Sequence, residues 1–273
     1  MLTIERVRRR ANGLPLEHHN RKEENMIRIA RLGALAGLLT AGLVLAVSVT
    51  SAPPAEAAVG HSAPSARAAF HDAMRKLWED HIVWTRQYIV SAATLPGDLA
   101  DIGPTTDRLL ANQADIGNAL RPFYGDAAAD QVTSLLRDHI LTAARLIAAA
   151  KAGDSAGVES ASADWYANAH DIAVALSGLN PRHWALADLD TMMKDHLDLT
   201  LDEAVARLQG RYADDITAYD KVHTEILSMA DMLSDGIIAQ FPSQFARGPF
   251  AAGEALVASP AASPPPDAEP KRG

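Results

Sequence analysis

The chain has 273 residues, of which 48% are hydrophobic and 22% charged, so it can bury a substantial core and would form one or two domains. It contains no cysteine, which excludes disulfides, thiolate nucleophiles and iron–sulfur clusters and leaves His, Asp, Glu and Asn as possible metal ligands. Its formal net charge of −9 repels phosphate backbones and argues against nucleic acid as a partner.

The N-terminal residues predict export. Met26, Arg28 and Arg31 precede an uncharged apolar run over residues 32–51, and a small-residue pattern ending at Ala57 follows. This order of positive, apolar and small residues is that of a secretory signal peptide, so we expect cleavage near Ala57 and a periplasmic or extracellular protein. Because the apolar run is also long enough to cross a bilayer, an uncleaved N-terminal membrane anchor is the alternative.

Composition divides the chain into four parts. We expect an N-terminal extension with the signal peptide over residues 1–57, a polar linker over 58–65, a helical domain over 66–245 and a disordered Pro/Ala/Ser-rich tail over 246–273. Met26 is a second plausible start of translation, which would leave the polar residues before it outside the protein.

Apolar residues recur at helical spacing throughout the helical domain. The breaks between these segments contain glycine, proline or capping residues. The predicted helices span about residues 66–93, 105–123, 126–150, 156–177, 185–208 and 212–240. No segment alternates β-branched residues in the manner of a strand, so the predicted fold class is all-α, a bundle of about six helices.

A short pattern occurs three times in this domain. It pairs Asp with His, followed by an apolar residue and then a threonine, in LWEDHIVWT, LLRDHILT and MMKDHLDLT. The intervening helices share a second pattern, seen in NQADIGNAL and NAHDIAVAL. Since the histidines of the first pattern, His81, His139 and His196, are 58 and 57 residues apart, we expect repeated antiparallel helical hairpins.

Hairpin geometry predicts that polar side chains meet at one level of the core. Residues equally far from a turn lie at the same height, because each residue rises about 1.5 Å along its helix. The side chains predicted to share this level are His81, Asn112, His139, Asn168, His196 and His223. Asp115 and Asp171 would lie one turn further along, at the edge of the layer.

Three interpretations of this layer are open. His–Asn and His–Asp hydrogen bonds could simply hold neighbouring helices in register. Alternatively, the layer could bind a divalent transition metal, since helical bundles build such sites from core His and carboxylate side chains. The ligands would then be drawn from His81, His139, His196, His223, Asp115 and Asp171.

The third interpretation is an extracytoplasmic enzyme, a transferase or hydrolase that uses the same histidines. The sequence carries no nucleophile elbow and no Gly-rich phosphate loop to accompany them. We therefore expect a non-catalytic binding or structural protein. The sequence does not identify its protein or small-molecule partner, and membrane contact is expected only through an uncleaved anchor.

The chain resembles a family of secreted bacterial all-helical proteins without an established activity, in the segments LWEDHIVWT, NQADIGNAL, RDHILTAARLIAAAKAGD, NPRHW, DHLDLTLDEAVARLQG and DMLSDGIIAQF. The resemblance covers about residues 69–245. Members of this family sometimes carry names such as glycosyltransferase or acetylglutamate kinase, which denote α/β enzymes, whereas this sequence predicts no strands. The resemblance therefore implies a secreted helical protein and assigns no catalytic residue.

Overall fold

The computed structural model describes residues 65–94 and 97–246. In these two ranges the chain forms five α-helices and no strand: α1 (Ala66–Ala92), α2 (Ile102–Ala152), α3 (Ser155–Leu179), α4 (Leu186–Leu208) and α5 (Tyr212–Gln240). A short 3₁₀-helix, Pro242–Phe245, follows α5. The predicted all-α class is therefore confirmed.

The predicted signal peptide and almost all of the predicted linker and tail lie outside the described residues. None of the described helices is long and apolar enough to cross a membrane. The apolar run over residues 32–51 is not among them, so the choice between cleavage and anchoring stays a prediction.

Local chemistry explains where several helices begin and end. The Asp154 side chain accepts a hydrogen bond from the Gly157 backbone N–H at 3.0 Å and so caps the start of α3. Gly153, directly before it, has φ 70°, and Gly210, two residues after α4, has φ 69°. Glycine reaches this left-handed conformation without a steric penalty, which is why it ends these helices.

Helix α2 reverses direction at Gly125, which has φ 79° and ψ 176°. The Arg137 Nη1 atom lies 3.4 Å from the Leu110 carbonyl oxygen, whereas an unbroken helix would separate these residues by about 40 Å. A Cβ atom on Gly117 would lie 1.9 Å from Thr133 Oγ1, so the absence of a side chain at Gly117 lets the two arms approach. The second and third predicted helices thus correspond to the two arms of α2, which meet at the non-helical Gly125.

The helices pack in chain order around one core. Helix α1 contacts α2 and α5, α3 contacts α2 and α4, and α4 contacts α5. The main apolar cluster draws on all five helices. Near the Gly125 turn, the rings of Phe70, Phe123 and Phe245 contact one another, with centroids 5.2 to 5.8 Å apart. The polar layer lies along the helices away from this aromatic cluster.

A candidate site in a buried histidine layer

Three imidazole rings from three helices lie close together in the core. His81 of α1, His139 of α2 and His196 of α4 are 3%, 4% and 4% exposed. The ring centroid of His196 lies 5.8 Å from that of His81 and 6.4 Å from that of His139. The enzyme interpretation needs an opening that reaches His139 or His196, and this burial keeps bulk solvent away from both rings.

Between α2 and α3, an asparagine from α3 holds His139. His139 Nδ1 lies 3.0 Å from Asn168 Oδ1. The Asn168 amide nitrogen donates at 3.1 Å to the carbonyl oxygen of Leu135, so its oxygen is the atom that faces the ring. His139 therefore donates through Nδ1–H, and its Nε2 carries the free lone pair.

Between α4 and α5, a glutamate from α5 holds His196. His196 Nδ1 lies 2.8 Å from Glu225 Oε2, and Glu225 follows His196 by 29 residues, the same spacing as from His139 to Asn168. A carboxylate accepts hydrogen bonds, so His196 also donates through Nδ1–H. Glu225 was not among the predicted site residues, although the spacing of 29 residues between His139 and Asn168 points to it.

His81 of α1 is held differently, by residues of α2. The Asn112 amide nitrogen donates at 3.0 Å to the Leu77 carbonyl, as Asn168 does to Leu135. The ring of His81 instead faces the next residue, Gln113, whose Nε2 lies 3.2 Å from His81 Nδ1 and 2.8 Å from the Leu109 carbonyl oxygen. In this arrangement His81 Nδ1 accepts a hydrogen bond. The other amide atom, Gln113 Oε1, is buried and has no partner within the described residues.

The fourth predicted histidine lies outside this layer. The His223 side chain is 38% exposed, and its Nε2 is 2.8 Å from Glu79 Oε1 at the surface. Counting outward from Gly210 placed His223 opposite His196, whereas the structure places Glu225 there. Two residues turn a helix by about 200°, so the prediction selected the wrong face of α5.

The predicted aspartates lie toward the surface. Asp115 is 21% exposed in its side chain, with Oδ2 at 3.9 Å from Arg108 Nη1, and Asp171 is exposed. The predicted ligands are thus divided between the core and the surface. Across residues 65–94 and 97–246, no group of three or more His, Asp or Glu side chains is arranged to hold a metal ion.

Burial keeps two of the clustered rings neutral. It lowers the pKa of His81 well below its usual value, with the nearby His196 and His139 acting in the same direction. It also lowers the pKa of His139 to about 3, again reinforced by His196. A neutral imidazole is the form that binds a metal ion and the form that a hydrogen-bonded core tolerates.

A second buried polar group, which we call the ionic cluster, consists of Arg86, Arg207, Glu203 and Asp215. Arg86 Nη1 donates to Glu203 Oε1 at 2.6 Å and to Asp215 Oδ1 at 2.8 Å, and Arg207 Nη1 donates to Asp215 Oδ2 at 3.3 Å. The two acids are 1% and 0% exposed. Burial raises the pKa of Glu203 to about 7, despite the opposing effect of Arg86.

A serine, a histidine and an aspartate also form a chain of contacts that runs from the core to the surface. Ser234 Oγ is 2.7 Å from His71 Nδ1, and His71 Nε2 is 3.1 Å from Asp235 Oδ1. Ser234 is fully buried, however, and its hydroxyl donates to the Ala230 carbonyl at 2.8 Å. A nucleophile must be reachable and must pass its proton to the histidine, so this arrangement favours a structural hydrogen-bond chain.

In comparisons with protein families, curated proteins and solved structures, no match to this chain was found. The family resemblance drawn from the sequence therefore stays a prediction, and the function has to be argued from the site.

Proposed function

We propose that this protein is an exported, non-catalytic helical-bundle protein whose histidine layer binds one divalent transition-metal ion. The ligands are His81, His139 and His196. The observation that supports this most directly is that side-chain oxygens hold Nδ1 of His139 and His196. Metal-binding histidines commonly donate their second ring nitrogen in this way, which fixes the tautomer and leaves Nε2 as the ligand.

In the described geometry His81, His139 and His196 are not arranged to hold a metal ion, so metal binding requires the layer to contract. Two imidazoles that share a tetrahedral zinc ion through Nε2 have ring centroids about 5 Å apart. The observed separations from His196 are 5.8 and 6.4 Å, so the rings would move together by about 1 Å. Side-chain rotation can supply such a movement while the helices stay in place.

To bind a metal through Nε2, His81 also has to carry its ring proton on Nδ1, so that Nδ1 donates a hydrogen bond where it now accepts one. Its Nδ1 accepts from Gln113 Nε2, which places the ring proton on Nε2. If the Gln113 amide rotated by 180°, its Oε1 would accept from Nδ1–H and free Nε2 for the metal. That oxygen would then face the Leu109 carbonyl oxygen and Asn112 Oδ1, to which Gln113 Nε2 now donates at 2.8 and 3.2 Å. Metal binding through His81 therefore also requires the Gln113 side chain to move away from these two oxygens.

The experiment is metal analysis of the mature protein, purified without a His tag, supplied with Zn²⁺ or Co²⁺ and dialysed. We expect one equivalent of metal per chain, and a Co²⁺ absorption spectrum typical of a tetrahedral site. His196→Ala should abolish both signals. His223→Ala is the matched control, because it removes a surface histidine from the neighbouring helix and should change neither.

A hydrogen-bonded layer without a ligand is the second candidate, favoured by the present bond between Gln113 and His81. Under this function His196→Ala lowers the free energy of unfolding by about 1–3 kcal/mol, because Glu225 loses its donor. Metal content well below one equivalent in the wild-type protein, with no change in His196→Ala, would select this candidate and reject the metal site.

We also propose that the bundle consists of three related hairpins. Two observations support this: the spacing of 29 residues recurs between His139 and Asn168 and between His196 and Glu225. In addition, Asn112 and Asn168 each donate to the carbonyl four residues before the histidine of their hairpin. Duplication of one hairpin would preserve such a bond without any ligand.

Export is the remaining part of the proposal, and it is supported by the order of charged, apolar and small residues before Ala58. Intact-mass measurement of the exported protein tests it. Cleavage near Ala57 predicts a mass without residues 1–57, whereas a membrane anchor predicts that the apolar run over 32–51 is retained.

A further inference from the structure

A cavity of about 40 Å³ lies between helices α1, α2, α3 and α4. Two apolar clusters meet around it: Leu146 and Leu201 of its lining belong to the main core, whereas Ile89 and Ile147 belong to a small separate cluster. Buried apolar side chains normally pack against one another without gaps. The cavity therefore marks the place where the close packing of the main core is interrupted.

Small side chains keep this space open. Ala143 and Ala150 line the cavity from α2, and Ala204 lines it from α4. The two alanines of α2 are seven residues apart and so lie on one face of the helix. Each alanine has three carbon atoms fewer than a leucine, the kind of residue that would fill this space in a fully packed bundle.

The surface that the cavity exposes is almost entirely hydrocarbon. Thr85 and Thr200 belong to the lining, but their hydroxyl oxygens are inaccessible. Among the described residues, no charged side chain lines the cavity. Water would find no hydrogen-bond partner there, so we expect the cavity to be dry. An apolar ligand would restore the van der Waals contacts that the lining atoms lack, without displacing a hydrogen bond.

The cavity also has a side from which a ligand can enter. Its lining runs from fully buried side chains such as Leu109 to the half-buried Tyr88, Val205 and Leu208. These half-buried residues lie in the last turns of α1 and α4. A ligand would therefore enter at the C-terminal ends of these two helices.

We propose that this cavity binds an apolar group of about three carbon atoms, supplied by a small hydrocarbon or by the end of a longer alkyl chain. A water molecule needs about 10–15 Å³ of such space, and a carbon atom of an alkyl chain is of similar size. A cavity of about 40 Å³ therefore holds about three carbon atoms. The rest of a longer chain would pass between Tyr88 and Leu208, with its polar end in solvent.

Methyl NMR of the mature protein tests the site, with xenon as the free apolar probe and decanoate, below its micelle concentration, as the alkyl chain. We expect both probes to cause saturable shifts of the Ile89, Ile140 and Ile147 methyl signals. Methanol is small but polar, so it should cause none. A response to xenon without one to decanoate would support small free molecules as the ligands and not chain ends. The proposal is overturned if xenon leaves these signals unchanged, or if methanol shifts them as strongly as xenon.

Filling the cavity provides the second test. Ala204→Leu adds three carbon atoms to the lining, the number that the cavity holds, and should remove the response to both probes. Ala187→Leu is the matched control, at an exposed position of the same helix, and should bind xenon like the wild type. Ala143→Val is a smaller change and should weaken xenon binding at least threefold. Wild-type xenon binding in a folded Ala204→Leu or Ala143→Val protein would place the bound probe elsewhere and overturn the proposal.

Discussion

The histidine layer and the ionic cluster are two buried polar regions of the same bundle that tolerate burial in different ways. In the layer, neutral rings such as His139 are held by single hydrogen bonds from the neighbouring helix. In the ionic cluster, the guanidinium of Arg86 lies between the two acids Glu203 and Asp215. The first arrangement keeps the ring of His139 neutral, and the second compensates buried charge.

Burial has opposite effects on the proton affinities of the two regions. It lowers the pKa of His139 to about 3 and raises the pKa of Glu203 to about 7. Both shifts favour the neutral form, yet one removes a proton and the other retains it. The contribution of each region to stability must therefore change with pH in opposite directions.

The largest expected effect concerns the buried ion pairs of Arg86 in the ionic cluster. Arg86→Met should lower the free energy of unfolding by about 3–5 kcal/mol, because it leaves Glu203 and Asp215 buried with less compensation. Urea denaturation of the wild type and the variant measures the difference. Arg75→Met is the matched control: Arg75 pairs with Asp231 at the surface, so its loss should be much smaller. Equal losses in the two variants would contradict the view that burial sets the importance of these pairs.

The second prediction concerns pH in the metal-free protein. The folded pKa of Glu203 lies above its ordinary value of 4.5, so its contribution to stability is present below pH 4.5 and is lost as pH rises to about 7. The folded pKa of His139 lies below 6.5, so stability is lost as pH falls from 6.5 toward 3. Between pH 4.5 and 6.5 the two slopes, each about 1.4 kcal/mol per pH unit at most, oppose each other.

Glu203→Gln removes one of these slopes and should expose the other. Between pH 6.5 and 4.5 the variant should lose stability more steeply than the wild type as the pH falls, by up to about 1.4 kcal/mol per pH unit. Urea titrations at several pH values measure this. Parallel pH profiles for the two proteins would show that Glu203 does not titrate in this window.

The helical periodicity was sufficient to predict most of the fold. For α5 the predicted and observed bounds coincide at Tyr212 and Gln240, because apolar residues recur regularly along it and a glycine precedes it. The reversal at Gly125 was predicted as an end and a new start, and the structure has it inside one assigned helix. The glycine itself signals the break, because it can adopt a φ of 79° that other residues rarely reach.

The sites were harder to predict than the helices. The recurring Asp-His pattern predicted that His81, His139 and His196 lie close together, and the ring centroids of His81 and His139 lie 5.8 and 6.4 Å from that of His196. The partner of His196 was missed since an error of two residues in α5 selects the opposite face. The ionic cluster had no such signal: Arg86 is 117 residues from Glu203 and 129 from Asp215, so only the packing of α1 on α4 and α5 brings these side chains together.

A third prediction tests the hydrogen bond between His139 and Asn168 in the histidine layer. Asn168→Ala should lower the free energy of unfolding by about 1–3 kcal/mol, because the buried His139 N–H loses its acceptor. Thermal or urea denaturation measures the change. Gln131→Ala, at an exposed position of α2, should stay within about 0.5 kcal/mol of the wild type. If both variants matched the wild type, the layer would contribute nothing to holding the helices together.

The smallest expected effect comes from replacing the carboxylate partner of His196 with an amide, the kind of partner that His139 has. Glu225→Gln keeps an oxygen that can accept from His196 Nδ1–H but removes the negative charge. A hydrogen bond to a charged group contributes about 1.5–3 kcal/mol and one between neutral groups about 0.5–1.5, so the loss should be about 1 kcal/mol, measured by urea denaturation. Asn168→Ala serves as the reference, because it removes the acceptor entirely. A loss in Glu225→Gln that exceeds the loss in Asn168→Ala would contradict this, because it would show that His196 depends mainly on the charge of the carboxylate and not on its acceptor oxygen.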